Sequence, residues 1–149
     1  MRYFEDYEVG QEFKLGSYTM VEQEMLDFAR QFDPQSFHLD AERAKDSIFG
    51  GLIASGWHTA AIYMRLMVTS FINETSSQGS PGVDELRWLV PVRVNDTLSG
   101  SFQVLECIPS RSRPTIGIIK GKCELVNQKG EIVLRILSSG FFDRRPAAQ

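Results

Sequence analysis

His38, one of two histidines in the chain, follows an aspartate by five residues in the segment FDPQSFHLD. A histidine can take a proton from water near neutral pH and return it, while a nearby carboxylate orients the ring. Two side chains that are five residues apart on a continuous helix lie ~140° apart around its axis and do not share a face. Asp33 and His38 can therefore act together only if the chain between them turns back. The alternative is a simple turn with a half-buried histidine.

The residues before this segment predict the required change of direction. The stretch VEQEMLDFARQF places apolar residues at helical spacing, and Thr19 with Glu22 three residues later fits a capping box. Pro34 disfavours the α conformation at the residue before it, so we expect the helix to end there. The stretch DPQSFHL is then predicted to be a loop that leaves the helix and lets the two side chains converge.

A second candidate region is glycine-rich. The segment IFGGLIASG leads into WHTAAIYMRLMVTSFI, which is apolar on nearly all sides and therefore predicts a helix buried inside its domain. Gly56 lies just ahead, where the first turn has free backbone N–H groups at the positive end of the helix dipole. These groups can polarise a ligand carbonyl as an oxyanion hole, or the glycines can simply form a tight turn. His58, in the first turn, is either a second acid–base candidate or a core histidine with one hydrogen bond.

The rest of the chain predicts the elements that surround this helix. Asp40 is expected to cap a short helix over residues 41–46, and residues 73–82 are expected to be a polar linker. Apolar and polar residues then alternate, as is typical of strands, in four segments: residues 83–94, 97–108, 115–126 and 131–142. A long antiparallel sheet with one apolar face and one apolar helix predict a single α+β domain over residues 1–149, with the sheet wrapped around the helix.

The composition narrows the functional classes. The chain has 149 residues, 42% of them hydrophobic, and a formal net charge of -3, which fits a globular domain and disfavours nucleic acid as the main partner. The longest apolar region is interrupted by polar residues and is too short to span a membrane. No apolar signal segment is visible, so we expect a cytoplasmic protein. Cys107 and Cys123 lack metal-ligand spacing and are expected to be small buried hydrophobes.

Basic residues cluster on the predicted strands and their turns. The residues concerned are Arg87, Arg93, Arg111, Arg113, Lys120 and Lys122. The segment SRSRP could hold a phosphate at the rim of a site. Solvated strand edges, on which charges prevent edge-to-edge pairing, are the alternative explanation.

Several groups of residues carry a resemblance to a known family. Six of them lie in register in and after the first segment: Asp33, Phe37, His38, Leu39, Asp40 and Ala44. The helix entry GGLIASGWHTAA, the later WLVPVRVNDTLSG and the hairpin NQKGEIVL also match. From residue 5 to 143 the chain resembles the MaoC-like dehydratase family, whose best-known members are R-specific enoyl-CoA hydratases with a hot-dog fold.

The chain departs from the family pattern next to the acid–base pair. Phe32 replaces the usual glycine, Pro34 follows the aspartate, and Gln35 with Ser36 stands where the family has Asn-Pro. The acid and the base are retained, whereas the segment between them is altered.

The resemblance implies a reaction, which is the reversible syn addition of water across the α,β double bond of an enoyl-CoA thioester. Asp33 and His38 would hold and deprotonate the water, and the backbone N–H of Gly56 would polarise the thioester carbonyl. Coenzyme A enters as part of the substrate, and no metal or other cofactor is implied. Three aromatic residues are expected to line an acyl tunnel or to pack in the core: Phe37, Phe49 and Trp57.

The resemblance also implies a homodimer, or a dimer of dimers, with sheets joined edge to edge and the site near the interface. Two alternative functions stay open. A hot-dog acyl-CoA thioesterase shares the fold and the ligand, but it needs a carboxylate early in the central helix, and residues 56–70 contain none. A non-catalytic acyl-thioester binding module or partner subunit fits the altered segment at residues 32–36.

Overall fold

The computed structural model describes residues 1–147. In chain order the helices and strands are β1 (Glu12–Thr19), α1 (Glu22–Phe32), α2 (Ser36–Leu39), α3 (Ala41–Ala44), α4 (Gly56–Ser70), β2 (Ser77–Trp88), β3 (Thr97–Pro109), β4 (Ile116–Val126) and β5 (Ile132–Asp143). Two short 3-10 turns lie at Phe4–Asp6 and Ile72–Glu74. Apart from the one-turn helix α2, this is the predicted order of elements.

The strands form a five-stranded sheet in the order β1-β3-β4-β5-β2, and all neighbouring pairs are antiparallel. Along β4, buried residues alternate with half-buried ones, as expected for a sheet that packs one face on a core. The helix α4 packs against that face. The predicted α+β architecture, an antiparallel sheet wrapped around a long central helix, is confirmed.

The core lies between α4 and the inner face of the sheet. The helix buries Ile62, Tyr63, Leu66 and Met67, which recur at the three- and four-residue spacing of one helix face. On the sheet side they join a cluster that includes Phe102. This cluster fixes the position of α4, and with it the N-terminal end of the helix where the candidate residues lie.

The outer face of α4 contradicts the expectation that this helix is buried on all sides. Trp57 is 58% exposed and Met64 is 49% exposed. The physical reason is geometric, because a single sheet covers only one side of a helix. Within residues 1–147 the other side is covered only in part, by Trp88 against Trp57 and by α1 near His58.

The predicted linker over residues 73–82 is wrong in its second half. The strand β2 begins at Ser77 and pairs with β5 through register shifts around Gly79 and Gly82. Because β2 is an edge strand with mostly exposed side chains, its polar composition conceals the alternating pattern by which a strand is predicted.

The predicted strand over residues 83–94 ends early, at Trp88. Pro91 lacks the N–H group that a sheet ladder needs, so the chain leaves the sheet here. Ala54 donates its N–H to the carbonyl of Val92 at 2.8 Å. This bond holds the departing segment beside the residues that enter α4.

The two predicted helix caps have different outcomes. The residue before α1 is Val21, and no side chain caps that helix. Thr19 instead belongs to β1, where its hydroxyl lies 2.9 Å from the hydroxyl of Thr97. Asp40 does cap α3, because its carboxylate accepts hydrogen bonds from two backbone N–H groups of the first turn, although α3 ends earlier than predicted, at Ala44.

The cysteines only partly match their expectation. Cys123 is buried, whereas Cys107 is half-buried, and both thiols are free. In the described part of the chain, none of the helices has the length and apolar character needed to cross a membrane.

Candidate active site

Asp33 and His38 lie on either side of a tight reversal after α1. The helix ends at Phe32, and Asp33, the residue before the proline, has a non-helical backbone with φ -152° and ψ 69°. The following residues form the one-turn helix α2 rather than the predicted loop. The reversal places His38 Nε2 at 3.2 Å from Asp33 Oδ2. The structure therefore brings the two predicted side chains together.

The orientation of the His38 ring follows from a backbone contact. Nδ1 lies 2.9 Å from the carbonyl oxygen of Ile53, which can only accept a hydrogen bond, so Nδ1 is the nitrogen that carries the proton. In the neutral ring Nε2 is then a bare acceptor that faces the Asp33 carboxylate. At 3.2 Å no water fits between these two atoms, so a hydrogen between them is carried by the ring, and a water can bind only beside the pair.

The Asp33 carboxylate is held by two further donors. Gln35 Nε2 donates to Oδ1 at 2.7 Å, and Ser55 Oγ donates to Oδ2 at 2.7 Å. Burial by itself raises the pKa of Asp33, but the hydrogen bonds from Gln35 and Ser55, together with His38, outweigh burial and hold the pKa below its usual range. The site therefore favours an ionised carboxylate of fixed orientation.

Gly56 is the first residue of α4 and faces the same space. Ser55, fully buried, caps the helix by accepting the N–H of Trp57 at 3.3 Å. Within residues 1–147 the N–H of Gly56 has no hydrogen-bond acceptor, so it can donate to a ligand. The Trp88 ring lies against Gly56, and a Cβ atom at this position would be 2.4 Å from Trp88 Cε2. The ring can approach the helix so closely only because residue 56 has no side chain.

These groups line one cavity of about 510 Å³, a volume typical of small-molecule sites. Asp33, His38 and Gly56 all contribute to its wall. The remaining wall is largely apolar and includes Phe37, Phe49, Ile53, Trp57, Trp88 and Val92. The three aromatic residues predicted to line a tunnel or pack in the core all lie on this wall, and Trp88 is an addition from the edge strand.

His58 lies on another side of α4, away from the cavity wall. Its ring stacks on Phe28 of α1, with ring centres 4.8 Å apart and planes inclined by 9°. Burial lowers the pKa of His58, partly opposed by the charge of Glu24. The expectation of a core histidine is met, but its buried Nδ1 has no hydrogen-bond partner among residues 1–147.

The sequence did not assign roles to Ser55 and Gln35. Gln35 stood out only as a departure from the family pattern, and Ser55 only as the residue before Gly56. Helix-capping preference for serine could have identified Ser55 as a cap. Its bond to Asp33 joins residues 22 apart in sequence, so no local pattern reports it.

Comparisons with known proteins agree with this fold. The MaoC like domain matches residues 5–121. YdeM, an uncharacterized protein of Bacillus subtilis, is 30% identical over 125 residues, which cover 84% of this chain and 87% of YdeM. The crystal structure of a MaoC-like dehydratase from Rhodospirillum rubrum is 42% identical, with a TM-score of 0.91 over 98% of this chain and 99% of that one. The R-hydratase PhaJ1 of Pseudomonas aeruginosa, 23% identical, shares the fold with a TM-score of 0.74 over 99% of this chain and 92% of its own.

Fold and site together define a hot-dog protein with Asp33 and His38 in contact near the N-terminal end of its central helix. The chain belongs to the MaoC-like dehydratase family. The departures from the family pattern leave the pair in contact. Gln35 supplies a hydrogen bond to Asp33, Ser36 begins α2, and the exposed Phe32 packs on Phe28 with ring centres 5.1 Å apart.

Proposed function

We propose that the protein adds water reversibly across the α,β double bond of an enoyl-CoA thioester. The observation that carries this proposal is the contact of 3.2 Å between His38 Nε2 and Asp33 Oδ2 in a cavity that Gly56 also lines. A water molecule bound beside this pair can give up a proton in the same cavity in which the thioester carbonyl could accept the free N–H of Gly56. These are the groups that hydration of an activated double bond requires.

In the proposed reaction His38 Nε2 takes a proton from the bound water as the water oxygen bonds to C3. The C2–C3 π electrons move toward the thioester carbonyl, whose oxygen accepts the N–H of Gly56 while negative charge develops on it. His38 then returns the proton to C2 on the same face, so no proton is lost or gained overall. Asp33 stays ionised, holds the water and stabilises the imidazolium that forms in between.

The proposed substrate is an acyl-CoA thioester, with coenzyme A as part of the substrate. The apolar wall formed by Phe37, Phe49 and Trp57 suits the acyl group and the carbons near the thioester. The steps above transfer only protons and a water molecule, so the proposed mechanism uses no metal and no redox cofactor.

We further propose that the protein acts as a homodimer, or as a dimer of dimers. Two features support this proposal. The outer face of α4 exposes the large apolar side chains of Trp57 and Met64, and the neighbouring strand β2 is an unpaired edge that carries the exposed Val83. A second copy that pairs with this edge would cover both features. Sedimentation analysis of wild type and of Met64→Glu tests the proposal, because the charge should favour the monomer.

The reaction is tested by spectrophotometric hydration of crotonyl-CoA and of longer and branched enoyl-CoA thioesters. The double variant Asp33→Asn/His38→Ala serves as the blank. We expect the wild type to hydrate at least one substrate and the blank to be inactive. If the wild type is as inactive as the blank across this panel while still binding butyryl-CoA, the protein is a binding module and the proposal is wrong.

A thiol-release assay on the same substrates separates the thioesterase alternative. Release of free coenzyme A without a hydroxyacyl product would identify a thioesterase. The structure gives this alternative little support, because α4 carries no carboxylate and Asp33 is the acidic residue that lines the cavity.

A further inference from the structure

Four basic side chains lie on the two segments that flank the cavity, residues 33–57 and 87–93. Three of them form ion pairs with carboxylates: Arg43 with Asp40, Lys45 with Glu42, and Arg87 with Glu85. Arg93 is the exception, because it forms no ion pair within residues 1–147. A cation without a carboxylate beside a ligand cavity is available to an anionic part of the ligand.

The guanidinium of Arg93 is fixed at the edge of the cavity. Nη2 donates to the carbonyl of Phe49 at 2.6 Å. Nη1 lies over Gly51, where an added Cβ atom would be 3.3 Å away. Phe49 is a wall residue of the cavity, and so is Val92, which directly precedes Arg93. The side chain therefore lies next to two wall residues of the cavity in which a thioester would bind.

The nearest acidic side chain in sequence is already used elsewhere. Asp96 accepts the backbone N–H of Arg93 through Oδ2 at 2.9 Å and the side chain of Gln128 through Oδ1 at 2.9 Å. Asp96 thus fixes the backbone of the turn, while the guanidinium extends to Phe49. The remaining N–H groups of the exposed guanidinium stay open to a ligand.

We infer that Arg93 binds the phosphate of the phosphopantetheine arm that carries the acyl thioester, an inference that rests on the proposed function. A planar guanidinium donates two parallel hydrogen bonds to a phosphate, and its bond to Phe49 orients it before the ligand arrives. Coenzyme A and acyl-carrier protein both present their thioester through this phosphate. Arg93 therefore recognises the chemistry that the two carriers share.

The other candidate phosphate site, the SRSRP segment, lies elsewhere. Arg113 borders a separate cavity of about 330 Å³ together with Ser110, Ser112 and Phe141. None of these residues lines the cavity that holds Asp33 and His38. Arg113 is therefore a matched control, because it is an exposed arginine whose removal changes the net charge equally.

The test measures binding of unreactive saturated ligands by calorimetry to wild type, Arg93→Gln and the control Arg113→Gln. The probes are butyryl-phosphopantetheine and butyryl-pantetheine, which differ only in the phosphate. Loss of a charge-assisted hydrogen bond should weaken the first probe about tenfold in Arg93→Gln. Butyryl-pantetheine should bind all three proteins equally, and Arg113→Gln should resemble the wild type.

Two results would overturn the inference. Equally weakened binding of both probes to Arg93→Gln would mean that Arg93 only supports the backbone at Phe49. Equal affinity of wild type and Arg93→Gln for the phosphorylated probe would mean that Arg93 does not contact the phosphate. Because binding needs no turnover, this outcome is separate from success or failure of the hydration assay. Repeating the measurement with butyryl-CoA and butyryl-loaded acyl-carrier protein identifies the carrier. A selective loss with either one supports the inference.

Discussion

The two histidines of the chain are similarly buried and differ in their surroundings. His38 is 4% exposed and His58 is 6% exposed. His38 has a polar partner at each ring nitrogen and lines a cavity, whereas His58 stacks on Phe28 with a buried Nδ1 that has no partner among residues 1–147. Burial alone therefore does not identify a functional histidine. The polar partners of His38 and the cavity beside it are the features that make it the better candidate.

The largest expected effect distinguishes the two histidines directly. His38→Ala should lower the hydration rate of crotonyl-CoA by about 100-fold or more, because it removes the group that moves the proton. His58→Phe should retain most of the activity, since an apolar ring can keep the stack on Phe28. Steady-state kinetics of both variants measure this. A comparable loss of activity in His58→Phe would contradict the proposal that His38, and not His58, moves the proton.

A smaller but still large effect is expected from the partner of His38. Asp33→Asn keeps the shape of the side chain and removes its charge, so the imidazolium formed during reaction loses its counter-charge. We expect the turnover rate to fall by roughly 10- to 100-fold. Unchanged turnover would show that Asp33 only shapes the turn.

Removal of the two hydrogen-bond donors to Asp33, Gln35 and Ser55, should have intermediate effects that differ between the two residues. Gln35→Ala removes one hydrogen bond that lowers the Asp33 pKa, so this pKa, followed by NMR titration of the carboxyl carbon, should rise. Ser55→Ala should do the same and also lower the free energy of unfolding by about 1 kcal/mol, because α4 loses its cap.

Ser55→Thr is the control, since it restores the hydroxyl group. Thermal unfolding should be nearly normal in Gln35→Ala and in Ser55→Thr, and reduced in Ser55→Ala. An Asp33 pKa that stays unchanged in both alanine variants would contradict the role given to these donors.

The smallest expected effect concerns stability near His58. Its pKa is lowered from 6.5 in the folded protein, so below that pH the unfolded chain binds more protons than the folded one. Stability should therefore decrease as the pH falls from the unfolded value through the lower folded value. His58→Phe should lose less stability than wild type between about pH 7.5 and 5.5, measured by urea unfolding. Identical pH dependence would show that His58 does not contribute.

Local sequence rules predicted the parts of the molecule that local physics decides. Pro34 placed the end of α1, Asp40 capped α3, and alternation in the later strands revealed the sheet. The convergence of Asp33 and His38 followed from the helix end, because a reversal was the one way for them to meet.

Interactions between distant segments were not predictable in this way. Thr19 fits a cap by its spacing to Glu22, but pairing of β1 with β3 takes it into the sheet. The polar beginning of β2 forms a strand because β5 offers it a partner. The hydrogen bond from Ser55 to Asp33 joins the start of α4 to the end of α1, 22 residues away in sequence.

The close approach of Trp88 to Gly56 constrains how this site can evolve. Any side chain at position 56 must displace the ring, because a Cβ atom there would overlap it. Replacement of Trp88 by a small residue removes the obstacle, so the same change at position 56 is tolerated in one background and not in the other. The two positions are thus epistatic, and the order in which substitutions accumulate matters. A lineage that first loses Trp88 can accept substitutions of Gly56 that a lineage with Trp88 cannot.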